Sequence, residues 1–312
     1  MRDKYSNSEK DGGQPDTTLD FMCIGAQKAG TTWLYEMLRR HPQLWLPPLK
    51  ELHYFDRSQS YSSNNFLLSD RPFERLFSPA KPNREFRQQL RRVLRAAWVN
   101  RSSATLLWAV RFGSGVVNDE WYRSLFAGTS LIRGEITPSY TMLDSHDVAR
   151  VQRLAPQLRV ILLLRNPIDR AWSQIRHDWA HGAFHGIDDF DRVCRFIDSP
   201  HQTLRSNYLR TLEIWERHFP SHQIFIGFYD EIAEQPAKIL SAILQFLGCD
   251  PSLGMRMEQL QRRVHVSKEK EMPEAVHRYL AAKYYEDLVA LAARFRRYPQ
   301  HWLTVAKAAG MV

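Results

Sequence analysis

The segment LDFMCIGAQKAGTTWLY, residues 19–35, constrains the fold more than any other part of the chain. An apolar run over 19–24 ends in a glycine-bearing turn and passes into a helical pattern near Thr31. A buried strand that turns tightly into a helix is the opening unit of a parallel α/β sheet. Gly25 and Gly30 permit positive φ in that turn. Lys28 supplies a cation, and the amides of Gly30, Thr31 and Thr32 point at an anion from a helix N-terminus. Phosphate binding is the physical reading, and a plain strand-to-helix turn with a surface lysine is the alternative. A kinase-type loop sets its lysine directly after the last glycine, whereas here Lys28 precedes Gly30 by two positions.

The same alternation continues. Apolar runs at 131–133, 160–164 and 224–228 read as further buried parallel strands. Between them, 31–40, 167–181, 203–219 and 236–247 carry apolar residues at helical spacing. The pattern predicts an α/β, P-loop-like open parallel sheet with helices on both faces, in a single domain over 19–312. Two stretches lie outside it: a helical, basic, tryptophan-containing insertion at 84–118, and a final helix over 273–297 with Pro273 near its start. Residues 1–18 are polar, without an apolar stretch. They read as disordered, neither signal peptide nor anchor, which implies a cytoplasmic protein. Cys23, Cys194 and Cys249 are too few and too scattered for a disulfide framework or a structural zinc cage.

A second segment, LRVILLLRNPIDRAWSQ, ends a strand at Arg165, opens a helix at Pro167 and places Ser173 about two turns in. Ligands of open parallel sheets collect at the carboxyl edge of the strands, where a guanidinium and a hydroxyl suit a second phosphate. Taken singly, each residue has an ordinary reading, a surface ion pair for Arg165 and a backbone-bonded helix residue for Ser173.

Taken together, the two motifs carry a family resemblance. Gly25-Ala-Gln-Lys28-Ala-Gly30-Thr31-Thr32-Trp33 resembles the 5′-phosphosulfate loop of the sulfotransferases, and the Arg165 to Ser173 segment resembles their 3′-phosphate motif. KELHYFD, RGEITPSY and SNYLRTLEIWERHFPSHQIFIGFYDEI are similar to the branch of heparan sulfate sulfotransferases and their bacterial relatives. The likeness spans about residues 19–250, omits 84–118, and has a weaker echo in HVSKEKEMPEAVHRYL.

The resemblance implies 3′-phosphoadenosine 5′-phosphosulfate (PAPS) as donor, without an obligatory metal. It places Lys28, Gly30, Thr31 and Thr32 on the 5′-phosphosulfate and Arg165 and Ser173 on the 3′-phosphate, with Gln27 and Ala29 also among the cofactor-binding residues. Tyr208 also joins the nucleotide site, and Lys268 or Lys270 closes over it. Trp33 either stacks on adenine or fills the core. Glu51 is the first candidate for the base and His53 the second; the plain alternatives are an ion pair of Glu51 with Lys50 and a buried structural imidazole. One departure stands out: the chain reads Glu135-Ile136-Thr137-Pro138 where some glycan sulfotransferases carry lysine second.

A formal charge of +9 favours an anionic partner. Two rival readings use the same features: a P-loop kinase or NTPase, and a non-catalytic basic protein holding glycan, nucleic acid or membrane. Under the sulfotransferase reading the acceptor is a hydroxyl or amine on a carbohydrate, glycolipid, peptide or small molecule. Nucleic acid is not expected and peripheral membrane contact stays open. The insertion is expected beside the cleft, helping to recognise an anionic or a membrane-bound acceptor. The sequence leaves oligomeric state undetermined.

Overall fold

The computed structural model describes residues 19–61, 63, 65–253 and 270–309. The disorder expected for residues 1–18 and the nucleotide contact expected of Lys268 therefore lie outside the described residues. Five strands are present: β1 (Phe21–Gly25), β2 (Leu44–Trp45), β3 (Ile132–Ile136), β4 (Arg159–Leu164) and β5 (Ile224–Phe228). All neighbours are parallel, in the order β2-β3-β1-β4-β5. The first strand of the chain is thus the central one, and its connections diverge. The chain leaves β1 toward β2 and β3 on one side, then crosses to β4 and β5 on the other. That reversal opens a crevice at the carboxyl ends of β1 and β4, where an α/β sheet takes its ligand.

Burial explains the strand sequences. Phe21, Met22, Cys23 and Ile24 are all buried, as are Ile161 to Leu164, because helices cover both faces and no polar residue is tolerated on either. Alternation is absent for the same reason. β3 is longer than the run 131–133 predicts. Gly134 looks like a breaker, yet a Cβ there would sit 2.2 Å from the Phe21 ring, so the glycine lets β1 and β3 pack. β2 is only two residues long, which leaves no period to detect.

The expected helix over 203–219 is two helices, Pro200–Ser206 and Tyr208–His218. Asn207 divides them because its side chain accepts the Arg210 amide at 3.0 Å, starting a new helix. Residues 84–118 fall largely within two helices, Lys81–Val99 and Ser103–Ser114. Pro273 caps the helix Glu274–Phe295, and a further helix, Arg297–Ala308, packs against it.

Candidate active site

The turn after β1 is fixed from both sides. The Ala26 amide donates to the Leu163 carbonyl of β4 at 2.7 Å, and Ala29 closes the turn on Ala26 at 3.1 Å. Gly30, at φ +89°, opens the helix Thr31–Leu38, where a Cβ would meet Ile232 at 2.6 Å. No side chain caps that helix and no acidic residue lies in its first turn, so its N-terminal amides suit an anion.

Lys28 sits at the apex in the left-handed region, φ +67°. Burial pulls its ammonium down to about 8, with Asp178 and Glu51 opposing the fall. Its Nζ makes no hydrogen bond to another described residue. Its carbonyl accepts from Arg165 Nη1 at 2.9 Å, which ties the two sequence motifs to one point. The Arg165 guanidinium lies 4.3 Å over the Tyr229 ring, and its buried Nε has no partner. Ser173 is nearly buried, on the helix Pro167–Ala180. Tyr208 is buried, and desolvation pushes its hydroxyl up to about 12.

Arginines that the motifs did not single out thicken this cation cluster. Arg170, fully buried, donates to Ser206 Oγ and Gln202 Oε1, each at 2.9 Å, and leaves Nη1 unpartnered. Both acceptors are neutral, so its charge meets no carboxylate at hydrogen-bonding distance. Arg205 donates to Gln27 Oε1, and burial next to Arg170 lowers its guanidinium to about 10. Unmatched buried guanidinium N–H groups are costly, and an anion at this edge would satisfy them.

The base candidates stand beside this cluster. The Glu51 amide donates to the Ile136 carbonyl and the Leu52 amide to Thr137 Oγ1, which pins the loop to the end of β3. Thr137 in turn donates to Glu135, a buried carboxyl that burial raises to about 7 and that also receives the Tyr122 and Tyr140 hydroxyls. Glu51 and His53 are both held at positive φ, +64° and +55°. Together with Lys28, three catalytic candidates adopt a backbone conformation costing roughly 1 kcal/mol or more each, a strain that concentrates at functional sites.

Lys50 connects the two halves. Its Nζ donates to Thr32 Oγ1 in the phosphate loop at 3.1 Å and to Glu51 Oε1 at 2.8 Å. His53 lies between two carboxylates, Nδ1 at 2.8 Å from Asp56 and Nε2 at 3.7 Å from Glu51. Burial opposes its protonation, but Asp56 and Glu51 outweigh that and raise it to about 10. Glu51 shows the mirror effect: burial would raise it, yet the His53 hydrogen bond and the Lys50 charge hold it at about 2. At neutral pH Glu51 is therefore a carboxylate with both oxygens faced by cations, and His53 an imidazolium. Ser139 Oγ donates to Asp56 at 2.6 Å and keeps that carboxylate in register.

Most of the sequence candidates thus converge. Gln27, Lys28, Ala29, Gly30, Thr31, Thr32 and Arg165 form one loop edge, linked to Glu51 and His53 through Lys50. Trp33 is packed into the core with 6% exposure, leaving little open face for an adenine. The Lys270 ammonium is 2.5 Å from Asp188 and over the Trp179 ring, and its carbonyl accepts from Trp172 Nε1 at 3.1 Å, beside Ser173. Asp56, Ser139, Arg170 and Arg205 were not anticipated. Asp56 had a signal, the fixed spacing Glu51-His53-Asp56 within KELHYFD; Arg205 had none, since it reaches Gln27 across 178 residues.

Comparison with known proteins identifies the family. The chain matches the family model of the sulfotransferase domain over residues 18–287. Human bifunctional heparan sulfate N-deacetylase/N-sulfotransferase 2 is 31% identical over 148 residues, 43% of this chain and 17% of that protein. Human heparan sulfate glucosamine 3-O-sulfotransferase 3B1 is 28% identical over 135 residues, 41% and 34% respectively. The chain therefore spans between a sixth and about a third of these relatives. The crystal structure of a sulfotransferase from Alicyclobacillus acidocaldarius superposes with a TM-score of 0.59 at 21% identity, over 91% of this chain and 98% of that one, and shares its fold. With a domain match over most of its length and a phosphate loop at the carboxyl edge of a parallel sheet, the chain belongs to the sulfotransferase family.

Proposed function

We propose that this chain transfers the sulfuryl group of PAPS to a hydroxyl or amine of an acceptor by in-line displacement, with Glu51 as base. The observation that carries the reading is Lys50 Nζ, shared between Thr32 of the phosphate loop and Glu51, because it sets the base candidate one ammonium away from the anion site. The buried N–H groups of Arg165 and Arg170 that lack partners suit the donor's phosphates. As the acceptor oxygen or nitrogen bonds to sulfur, its proton passes to Glu51 and the bond to the phosphate breaks. Negative charge then grows on the leaving phosphate, where Lys28 and the amides of Gly30, Thr31 and Thr32 offset it. His53, protonated between Asp56 and Glu51, orients the carboxylate; no proton-accepting nitrogen remains on it at neutral pH. An incoming anion draws Lys50 toward itself and so strengthens Glu51 as a base. The cations already at this edge supply the neutralisation that phosphoryl transfer takes from magnesium, so the proposed chemistry needs no metal.

The relatives named for heparan sulfate N-sulfation and glucosamine 3-O-sulfation support a carbohydrate acceptor. Three free thiols, Cys23, Cys194 and Cys249, support a reducing, cytoplasmic setting; among the described residues no helix is long and apolar enough to cross a membrane.

The test is calorimetry of adenosine 3′,5′-bisphosphate without magnesium, on wild type and Arg165→Ala, with AMP for comparison. Binding that rejects AMP and weakens about 10- to 100-fold in the variant is expected from loss of a charged hydrogen bond. Absent binding to the folded protein, or ATP binding that requires magnesium, would overturn the reading in favour of a kinase-like or non-catalytic protein.

A further inference from the structure

The helices Lys81–Val99 and Ser103–Ser114 form a hairpin whose root and tip differ in character. At the root, Phe86 and Phe112 stack 5.0 Å apart, both meet Phe66, and the Phe66 ring meets His53 edge-on. Trp98 lies twelve residues beyond Phe86, about 18 Å further along the helix. There the packing stops. Trp98 is 85% exposed and Val99 68%, and in the first turns of the second helix Leu106 and Leu107 are exposed as well. From 86 to 118 the chain carries six arginines and no carboxylate. Arg91, Arg95 and Arg101 are exposed and have no acidic partner among the described residues.

We propose that this tip docks on an anionic lipid bilayer. Trp98, Val99, Leu106 and Leu107 enter the boundary between headgroups and acyl chains, and Arg91, Arg95 and Arg101 bind lipid phosphates. An exposed tryptophan with branched apolar neighbours, flanked by unpaired arginines, matches the division of a bilayer surface into apolar interior and anionic face. A second copy of the chain fits poorly, since a two-fold contact would set arginine against arginine with no carboxylate in the segment to pair them. A soluble acidic glycan would use the arginines and gain nothing from the apolar tip. The distance from root to tip makes this surface a tether, separate from the cleft chemistry proposed above.

Flotation of the full chain with vesicles tests it, using phosphatidylcholine alone and equimolar phosphatidylcholine and phosphatidylserine. Binding to the anionic vesicles only is expected. Trp98→Ser with Leu107→Ser should reduce it at least tenfold. Replacing Arg91, Arg95 and Arg101 by glutamine should reduce it about a hundredfold, near fivefold for each charge. Both variants should keep wild-type affinity for adenosine 3′,5′-bisphosphate, which reports an intact fold. No flotation at low salt would overturn the proposal. So would flotation that survives loss of Trp98 and Leu107, or soluble heparin binding as tightly as the vesicles and indifferent to those two residues, which would assign the arginines to a glycan.

Discussion

Two parts of this molecule are rich in cations, and they use them differently. In the hairpin, Arg91, Arg92, Arg95 and Arg101 are exposed, so water already satisfies their guanidinium groups. At the carboxyl edge of the sheet, Lys28, Arg165, Arg170 and Arg205 are partly or wholly withdrawn from water, and Arg165 and Arg170 keep N–H groups without partners. A positive charge on the surface costs little and says little about its purpose. A buried guanidinium with an unmatched donor is costly, and an anion placed beside it would complete it. Net charge, which counts both regions alike, cannot distinguish them; burial can.

The sharpest way to break that contrast is at Lys28. Lys28→Ala should lower kcat/KM about 10⁴-fold, from loss of charge stabilisation in the transition state together with weaker donor binding. Sulfuryl transfer to a test acceptor reads the first effect and calorimetry the second; an unchanged enzyme would remove the mechanism. Next in size is Glu51→Gln, expected to cost about 10³-fold in kcat while bisphosphate affinity stays nearly constant. If Glu51→Gln instead turned over normally and His53→Ala were dead, the base would be the imidazole.

Titration gives a smaller, directional effect. The Lys28 ammonium is depressed to about 8, so free protein loses that charge as pH rises through about 8. Affinity for the bisphosphate should therefore fall above pH 8, by up to about tenfold per unit, and stay flat in Lys28→Arg. The hairpin should give the smallest response. Arg91→Gln with Arg95→Gln should leave bisphosphate affinity unchanged and shift unfolding free energy by no more than about 0.5 kcal/mol in denaturant titration, as exposed substitutions do.

Much of the site is local in sequence. The loop from Gly25 to Thr32 joins a strand to a helix, and its glycines, lysine and threonines sit within one turn of chain, so their chemistry and its context are read together. Glu51, His53 and Asp56 are likewise one short segment, although only the first two were singled out. The helix break at Asn207 was missed because apolar spacing runs across it, while a capping side chain stops the backbone ladder. The strand run 131–133 stopped short of Gly134, since only the pairing of β1 with β3 reveals the Phe21 ring packed against that glycine.

By itself the sequence determined the parallel α/β class, the phosphate loop and the residues bearing charge, because strand burial, turn glycines and helix starts are set by neighbours in the chain. Tertiary structure alone decided what those charges meet. Arg205 reaches Gln27, Lys50 spans Thr32 and Glu51, and Asp56 and Glu51 raise the His53 imidazole, because contacts between remote segments create the burial and the opposing charges that act on each group.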